Sequence, residues 1–320
     1  MTTSLSQRMR ALAGRVTPRF VSERARRWLP RRFYVESVIT HENAVERFVR
    51  RTLWHKRPTL YHLDVHVTDH CNLNCRGCEH YSSISDPVFA DLGRTAANLE
   101  RLAELFENVE QIYLLGGEPL LHPEVERFVT ETRRVFPRTR LYVMTNGVLS
   151  SRMPESFWAT LHAENATLLC DSYPINLPVD RVNALGRQHG VDIEWMKPVS
   201  EFFTIPVDVT GSSDPAASFA RCRGLSNCAI VRDGRLYPCA HVAYADILAK
   251  RFDIEGIDAT ERDSVSIWEG GDGDAIIDFL TSPVPWCAHC DFDSFATHPW
   301  SLGQGEPDEW LRTDGLVTRR

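Results

Sequence analysis

The sequence predicts an α/β protein built on a parallel sheet, and three observations predict it. From about residue 60, β-type and helical hydrophobic patterns alternate. Their order is βαβα, which calls for parallel strands with crossover helices. Polar and glycine-rich groups follow the strand segments, at the strand ends where parallel α/β folds carry their active sites.

The elements run in order. Tyr61–Thr68 alternates as a strand and ends just before the first cysteine, Cys71. Leu99, Leu102, Ala103 and Phe106 then share one helical face. Gln111–Leu115 is a short apolar strand running into Gly116-Gly117-Glu118-Pro119. Pro123, Val125, Phe128, Val129 and Val135 mark the next helix, with proline in its first turn. Leu141–Thr145 reads as a strand ending at Asn146-Gly147, Thr167–Cys170 as a fourth, followed by Asp171, and Val191–Met196 as a fifth. Upstream, Ala44, Val45, Phe48, Val49 and Trp54 fit a helical face able to pack on this body. From about residue 211 the rhythm breaks into loops, glycines and cysteines, so three parts are expected: a basic arm and helix (1–58), the parallel α/β domain (59–210) and a small module with the tail (211–320).

Composition narrows the class. With 320 residues, 43% hydrophobic and 25% charged, the chain can bury a core without disulfides. It contains no apolar run of about 18 residues and no secretory signal pattern, so a cytoplasmic protein without a transmembrane segment is expected. Nine cysteines in that setting point to metal rather than disulfides. Charge is uneven: residues 1–60 carry 14 Lys/Arg against 4 Asp/Glu, and the remainder is net −17. The basic arm suits a solvated segment or contact with an anionic membrane surface. The acidic body excludes a nucleic-acid groove.

Three cysteines follow the first strand: Cys71, Cys75 and Cys78. Spacings of three and two residues let one tight loop bring three thiolates around one centre. Structural zinc, or a cluster that only carries electrons, wants four protein ligands. Three leave one iron of a 4Fe–4S cube open for chemistry, and zinc completed by a distant histidine is the alternative. Cys71-x3-Cys75-x2-Cys78 after the first strand, with Gly116-Gly117-Glu118-Pro119 after the second, resembles the radical S-adenosylmethionine superfamily. The resemblance implies a partial (β/α)6 TIM-type barrel. It also implies that the open iron binds S-adenosyl-L-methionine, whose reductive cleavage gives a 5′-deoxyadenosyl radical that abstracts hydrogen from a C–H bond. A ferredoxin- or flavodoxin-type electron donor is implied with it. Gly116, Gly117, Glu118 and Pro119 match the motif that receives the methionine ammonium, and Asn146 is a further cofactor contact. The residue before the third family cysteine is often aromatic and lies on the adenine; here it is Gly77, so Tyr81 or His80 is expected to supply a ring.

A second cysteine group lies in the C-terminal part. Eleven residues separate Cys222 from Gly234, four separate Gly234 from Cys239, and Cys287 and Cys290 follow. This pattern resembles the twitch and SPASM extensions of the same superfamily, with a second 4Fe–4S cluster held by Cys222, Cys239, Cys287 and Cys290. Four thiolates suit zinc equally. Cys228 is the rival of Cys222, with only five residues between it and Gly234. Cys170 and Cys228 are left over, as buried small residues or as hydrogen-atom donors. A thiol donor would make the reaction an epimerisation; without one, a dehydrogenation.

Residues 60–311 also resemble radical S-adenosylmethionine proteins encoded beside glycosyltransferases, through Asp69-His70-Cys71-Asn72-Leu73-Asn74-Cys75, Leu115–Pro123, Tyr237-Pro238-Cys239, and Cys287–Cys290 with Trp300. The resemblance implies a small carbohydrate or cyclitol substrate. His80, Asp171, Ser172, Tyr173 and Lys197 suit hydroxyl groups, and would suit a peptide too. A peptide-modifying enzyme and a non-catalytic zinc scaffold are the competing readings.

Overall fold

The computed structural model describes residues 39, 40, 42, 44–222 and 229–312. The α/β expectation is met. Strands β1 (Thr59–Thr68), β2 (Asn108–Gly116), β3 (Arg140–Thr145), β4 (Ala166–Cys170) and β5 (Ile193–Trp195) pair in parallel, in that order. The helices α2 (Leu92–Leu105), α3 (Val125–Val135), α4 (Glu155–Ala163) and α5 (Val179–His189) make the crossovers. Asp91 starts α2 by accepting the Arg94 amide at 2.7 Å. Leu99, Leu102 and Leu105 then bury against Leu63, Val65 and Val67 of β1 in one core with the faces of the other three helices. Alternation on β1 turns Asp64, His66 and Thr68 away from that core, toward the opposite, polar face of the sheet. There His62, Tyr113 and Tyr142 stack in a row across β1 to β3.

A sixth parallel strand comes from beyond the expected domain boundary. β7 (Ala229–Arg232) pairs with the free edge of β1, not with β5, and the antiparallel β8 (Arg235–Tyr237) and β9 (Val265–Ser266) extend the same sheet. The C-terminal part therefore shares the sheet of the parallel domain while building a second core. That core draws on α7 (Ala240–Ala243), α8 (Ala245–Phe252), Trp286, Phe292, Trp310 and, from the first cysteine loop, Tyr81. A separate two-stranded antiparallel sheet joins β6 (Glu201–Thr204) to β10 (Ala296–Pro299).

The upstream helix departs from its expected packing. In α1 (Ala44–Phe48) and the π-helical turn Val49–Trp54, Phe48 is 61% and Trp54 58% exposed. The segment is tied down instead by the buried Arg50, which bonds Glu42 and, through Nη2, Asp274 at 2.7 Å, in α9 (Gly273–Leu280). A paired guanidinium replaces the apolar face. No helix among the described residues is long and apolar enough to cross a membrane. The arginine-rich segment up to residue 38, with its expected membrane-surface contact, lies outside the described residues.

Candidate active site

The cysteine loop leaves β1 at its C-terminal end and is held on two sides. On one side, Gly117 donates to the Thr68 carbonyl at 2.7 Å and Glu118 to the His70 carbonyl at 3.0 Å. Only glycine permits this approach, because a Cβ on Gly117 would stand 1.9 Å from the His70 oxygen. On the other side the late segment clamps the loop. Arg76 donates to the Ser301 carbonyl, Gly303 to the Asn74 carbonyl, and the Trp310 indole to the Cys78 carbonyl at 2.9 Å.

Donors are also aimed at the sulfurs. The Trp300 indole N–H lies 3.3 Å from Cys75 Sγ, and the Asn146 amide and Leu73 N–H each lie 3.4 Å from Cys71 Sγ. A thiol accepts such bonds weakly and a thiolate strongly. Burial pushes Cys71 and Cys75 up to about 12 as free thiols, so they need a metal to ionise them. The donor set fits an iron–sulfur cluster, whose properties depend on such N–H···S bonds.

Beside the loop lies a cavity of about 360 Å³, lined by Cys71, Cys75, Cys78, Asn146, Asp171 and Tyr173 among others. Gly116, Gly117 and His80 also face it. Tyr173 packs on Trp300 (5.5 Å between rings) and Phe202 (6.0 Å), giving the cavity an aromatic side. Asp171 accepts from the Tyr173 hydroxyl at 3.3 Å, and burial pushes its carboxyl up to about 6.

Four expected site residues sit elsewhere. Glu118 is fully buried and does not line the cavity; its carboxylate accepts from Leu120 N (3.0 Å), Thr145 Oγ1 (2.7 Å) and Asn146 N (2.8 Å). It fastens the end of β2 to the end of β3 and so positions Asn146 rather than meeting a ligand cation. Pro119 is likewise buried, opening a 3-10 turn behind the cavity. Tyr81 is buried between His241 and Trp310, with its hydroxyl 2.6 Å from His241 Nδ1. Of the two rings expected to replace an aromatic at position 77, only His80 reaches the wall. Cys170 is 0% exposed in the helix-side core, since the last residue of β4 turns its side chain away from the cavity. Cys228 lies outside the described residues.

Gly77 has a local reason. Its φ is +69°, and a Cβ would meet Thr204 Oγ1 of β6 at 2.8 Å. Gly77→Ala is expected to cost about 1–2 kcal/mol, seen as a lower denaturant midpoint; an unchanged midpoint would contradict the packing described.

Cys222 ends α6 (Pro215–Cys222), Cys239 precedes α7, and Cys287 and Cys290 belong to or follow the 3-10 turn Pro285–His289. All four join the second core, and the other three thiols stand close enough to Cys290 to add to the effect of burial, which drives its pKa well up. Among the described residues no three His, Cys, Asp or Glu side chains converge closely enough to grip a single metal ion.

Comparison with known proteins agrees with this geometry where it is most distinctive. Residues 65–177 match the Radical SAM superfamily profile, a span that contains β1, the cysteine loop, Gly116–Pro119 and Asn146. Across that span the chain resembles a Radical SAM superfamily domain. Over 110 residues the chain is 34% identical to molybdenum cofactor biosynthesis protein 1 of Bos taurus, covering 33% of this chain and 17% of that one. A GTP 3′,8-cyclase of Trichodesmium erythraeum is 34% identical over 131 residues, 39% of this chain and 40% of that one. The chain thus spans well under two thirds of the length of these relatives. A crystal structure of BtrN in complex with AdoMet and 2-DOIA superposes with a TM-score of 0.42 at 18% identity, covering 72% of this chain and 93% of that one.

Three features escaped sequence reading. Trp310 and the pairing of residues 301–303 with the cysteine loop join segments more than 200 positions apart. Glu201 and Phe202 reach the cavity from β6, which carries no motif. Their only sequence signals are the scattered aromatics Phe295, Trp300 and Trp310 and, in β6 itself, Phe202 and Phe203.

Proposed function

We propose that the protein is a radical S-adenosylmethionine enzyme that oxidises a carbon of a small carbohydrate or cyclitol. One observation carries the reading: three thiols of one loop, each stabilised in place, with N–H donors aimed at two of the sulfurs, open onto a ligand-sized cavity at the strand ends. Cys71, Cys75 and Cys78 would hold a 4Fe–4S cluster that, with S-adenosylmethionine bound, supplies a hydrogen-abstracting radical. Gly116, Gly117, Asn146 and His80 form the adjoining wall available to the cofactor. Cys222, Cys239, Cys287 and Cys290 would hold a second 4Fe–4S cluster, which supplies an electron acceptor.

Oxidation is preferred to epimerisation because inversion needs a hydrogen-atom donor at the substrate. Beyond the three loop cysteines, no cysteine among the described residues lines the cavity. Turnover in deuterated water tests this choice. A ketone product without solvent deuterium is expected, with Cys170→Ala leaving turnover intact. An inverted product carrying deuterium would contradict it.

The GTP 3′,8-cyclase relatives offer a second reading, in which the substrate is a nucleoside triphosphate. The cavity wall disfavours it, since it presents no lysine or arginine among the described residues. Substrate-dependent 5′-deoxyadenosine formation across sugars, cyclitols, peptides and GTP separates these readings. Stimulation by GTP alone would overturn the proposal.

A further inference from the structure

We propose that Phe48, Leu53 and Trp54 form a surface that docks on an anionic lipid membrane, with the cations of the same segment meeting its headgroups. This surface lies outside the cysteine-loop cavity and does not depend on the radical chemistry.

The segment is turned inside out. Its arginine, Arg50, is buried, whereas Phe48, Leu53 and Trp54 are 61%, 64% and 58% exposed. Every residue from Arg51 to Arg57 is exposed. Apolar side chains scattered singly over a surface need no explanation, but three large ones within seven residues make a patch that marks a contact. The patch cannot roll inward. The Arg50 guanidinium bonds Glu42 (2.8 Å), the Lys56 carbonyl (2.9 Å) and Asp274 (2.7 Å), so it fixes the turn at both ends. Rotating the apolar side chains toward the body would pull this arginine out and leave the largely buried Asp274 carboxylate without its countercharge.

Charge selects what covers the patch. Residues 47–57 hold five Lys/Arg and no Asp/Glu, and Arg51 and Lys56 among them are exposed. The 38 residues before Ile39 add nine arginines against two glutamates. Aromatic and leucine side chains among exposed cations suit a membrane interface, where the apolar groups enter the headgroup–acyl boundary and Arg and Lys meet anionic lipids. A nucleic acid would match the charge, but its phosphates and bases give the exposed Leu53 no apolar partner. A protein partner would have to cover about 800 Å² on each side, far more than three side chains provide. A lipid surface needs no such area, because each cation near it adds its own attraction. No helix among the described residues can cross a membrane, so the contact is peripheral.

Co-sedimentation of the reconstituted full chain tests this, with vesicles of equal parts phosphatidylcholine and phosphatidylglycerol beside vesicles of phosphatidylcholine alone. Binding is expected to be about tenfold or more tighter on the anionic vesicles and to weaken as salt rises. Leu53→Ser combined with Trp54→Ser should lower that affinity about tenfold or more. Both side chains are exposed, so the denaturant midpoint should not move. Arg51→Gln combined with Lys56→Gln should weaken binding to the anionic vesicles about tenfold, and decides the matter should the serine variant lose its fold. Full-strength vesicle binding by the serine variant would assign the contact to the arginine-rich segment alone and overturn the patch. Equal binding to neutral and anionic vesicles, or to neither, would overturn it too. A dimer of the free protein that the serine variant abolishes would show that a second copy covers the patch. Tighter binding to a DNA duplex than to vesicles, lost in the same variant, would assign the patch to nucleic acid; either result overturns the proposal.

Discussion

Replacing Cys75 with alanine is expected to abolish S-adenosylmethionine cleavage and to remove about four of about eight irons per chain. Cys75 is the most enclosed of the three loop ligands. Its backbone bridges to Leu302 and its sulfur accepts the Trp300 indole. Two thiolates cannot hold a cube whose fourth iron must stay open, so the loss is all-or-none rather than graded. The same substitution is not expected to unfold the chain, because the loop stays clamped through Arg76, Gly303 and Trp310. Iron and sulfide analysis beside a circular-dichroism spectrum checks both halves. Retention of all the iron with activity intact would remove Cys75 from the site.

Glu118→Gln is expected to change the pH dependence of stability more than any other substitution near the site. Burial pushes the Glu118 carboxyl up to about 7, against hydrogen bonds from Asn146, Thr145 and Leu120 that pull it down. A carboxyl raised in the folded state stabilises the fold fully below its unfolded pKa of about 4.5, and that stability is lost as pH rises through about 7. At about 1.4 kcal/mol per pH unit over this window the loss is about 3 kcal/mol. Glutamine cannot ionise, so the variant should lose this slope. It also sets an amide N–H against a backbone or hydroxyl donor, at a constant cost of about 1–3 kcal/mol. Denaturant midpoints from pH 4.5 to 8 give the comparison. Parallel curves for the two proteins would show that Glu118 does not carry the dependence.

The two substitutions probe features that differ in how far the sequence reveals them. The cysteine loop was legible because ligand spacing is local: three thiols within eight residues need no tertiary information to be read as one centre. The five leading strands and the first two crossover helices, α2 and α3, were legible because each keeps its own hydrophobic period over a full element, whereas α4 and α5 were not read from the sequence. Glu118 was legible as part of a motif but not in its direction, since residue type does not say whether a carboxylate faces a ligand or, as here, Thr145 and the Asn146 amide. Cys170 failed similarly, because one residue of pleat separates the cavity-facing Asp171 from the core.

What the sequence could not reveal depends on long-range partners. The sixth strand joins β1 because that edge is otherwise unpaired, and nothing local in Ala229–Arg232 says so. Phe48 and Trp54 look like a packing stripe, yet Arg50 holds the segment through Asp274, 224 positions away. Gly77 reads as a defect in a family motif until Thr204 fills the space beside it.

The central claim is that the loop from Cys71 to Cys78 holds a redox cluster that opens S-adenosylmethionine. Anaerobic reconstitution, followed by S-adenosylmethionine and a low-potential reductant, tests it directly. The account predicts about eight irons with matching sulfide per chain and release of 5′-deoxyadenosine. Tightly held zinc without sulfide, and no 5′-deoxyadenosine, would contradict it.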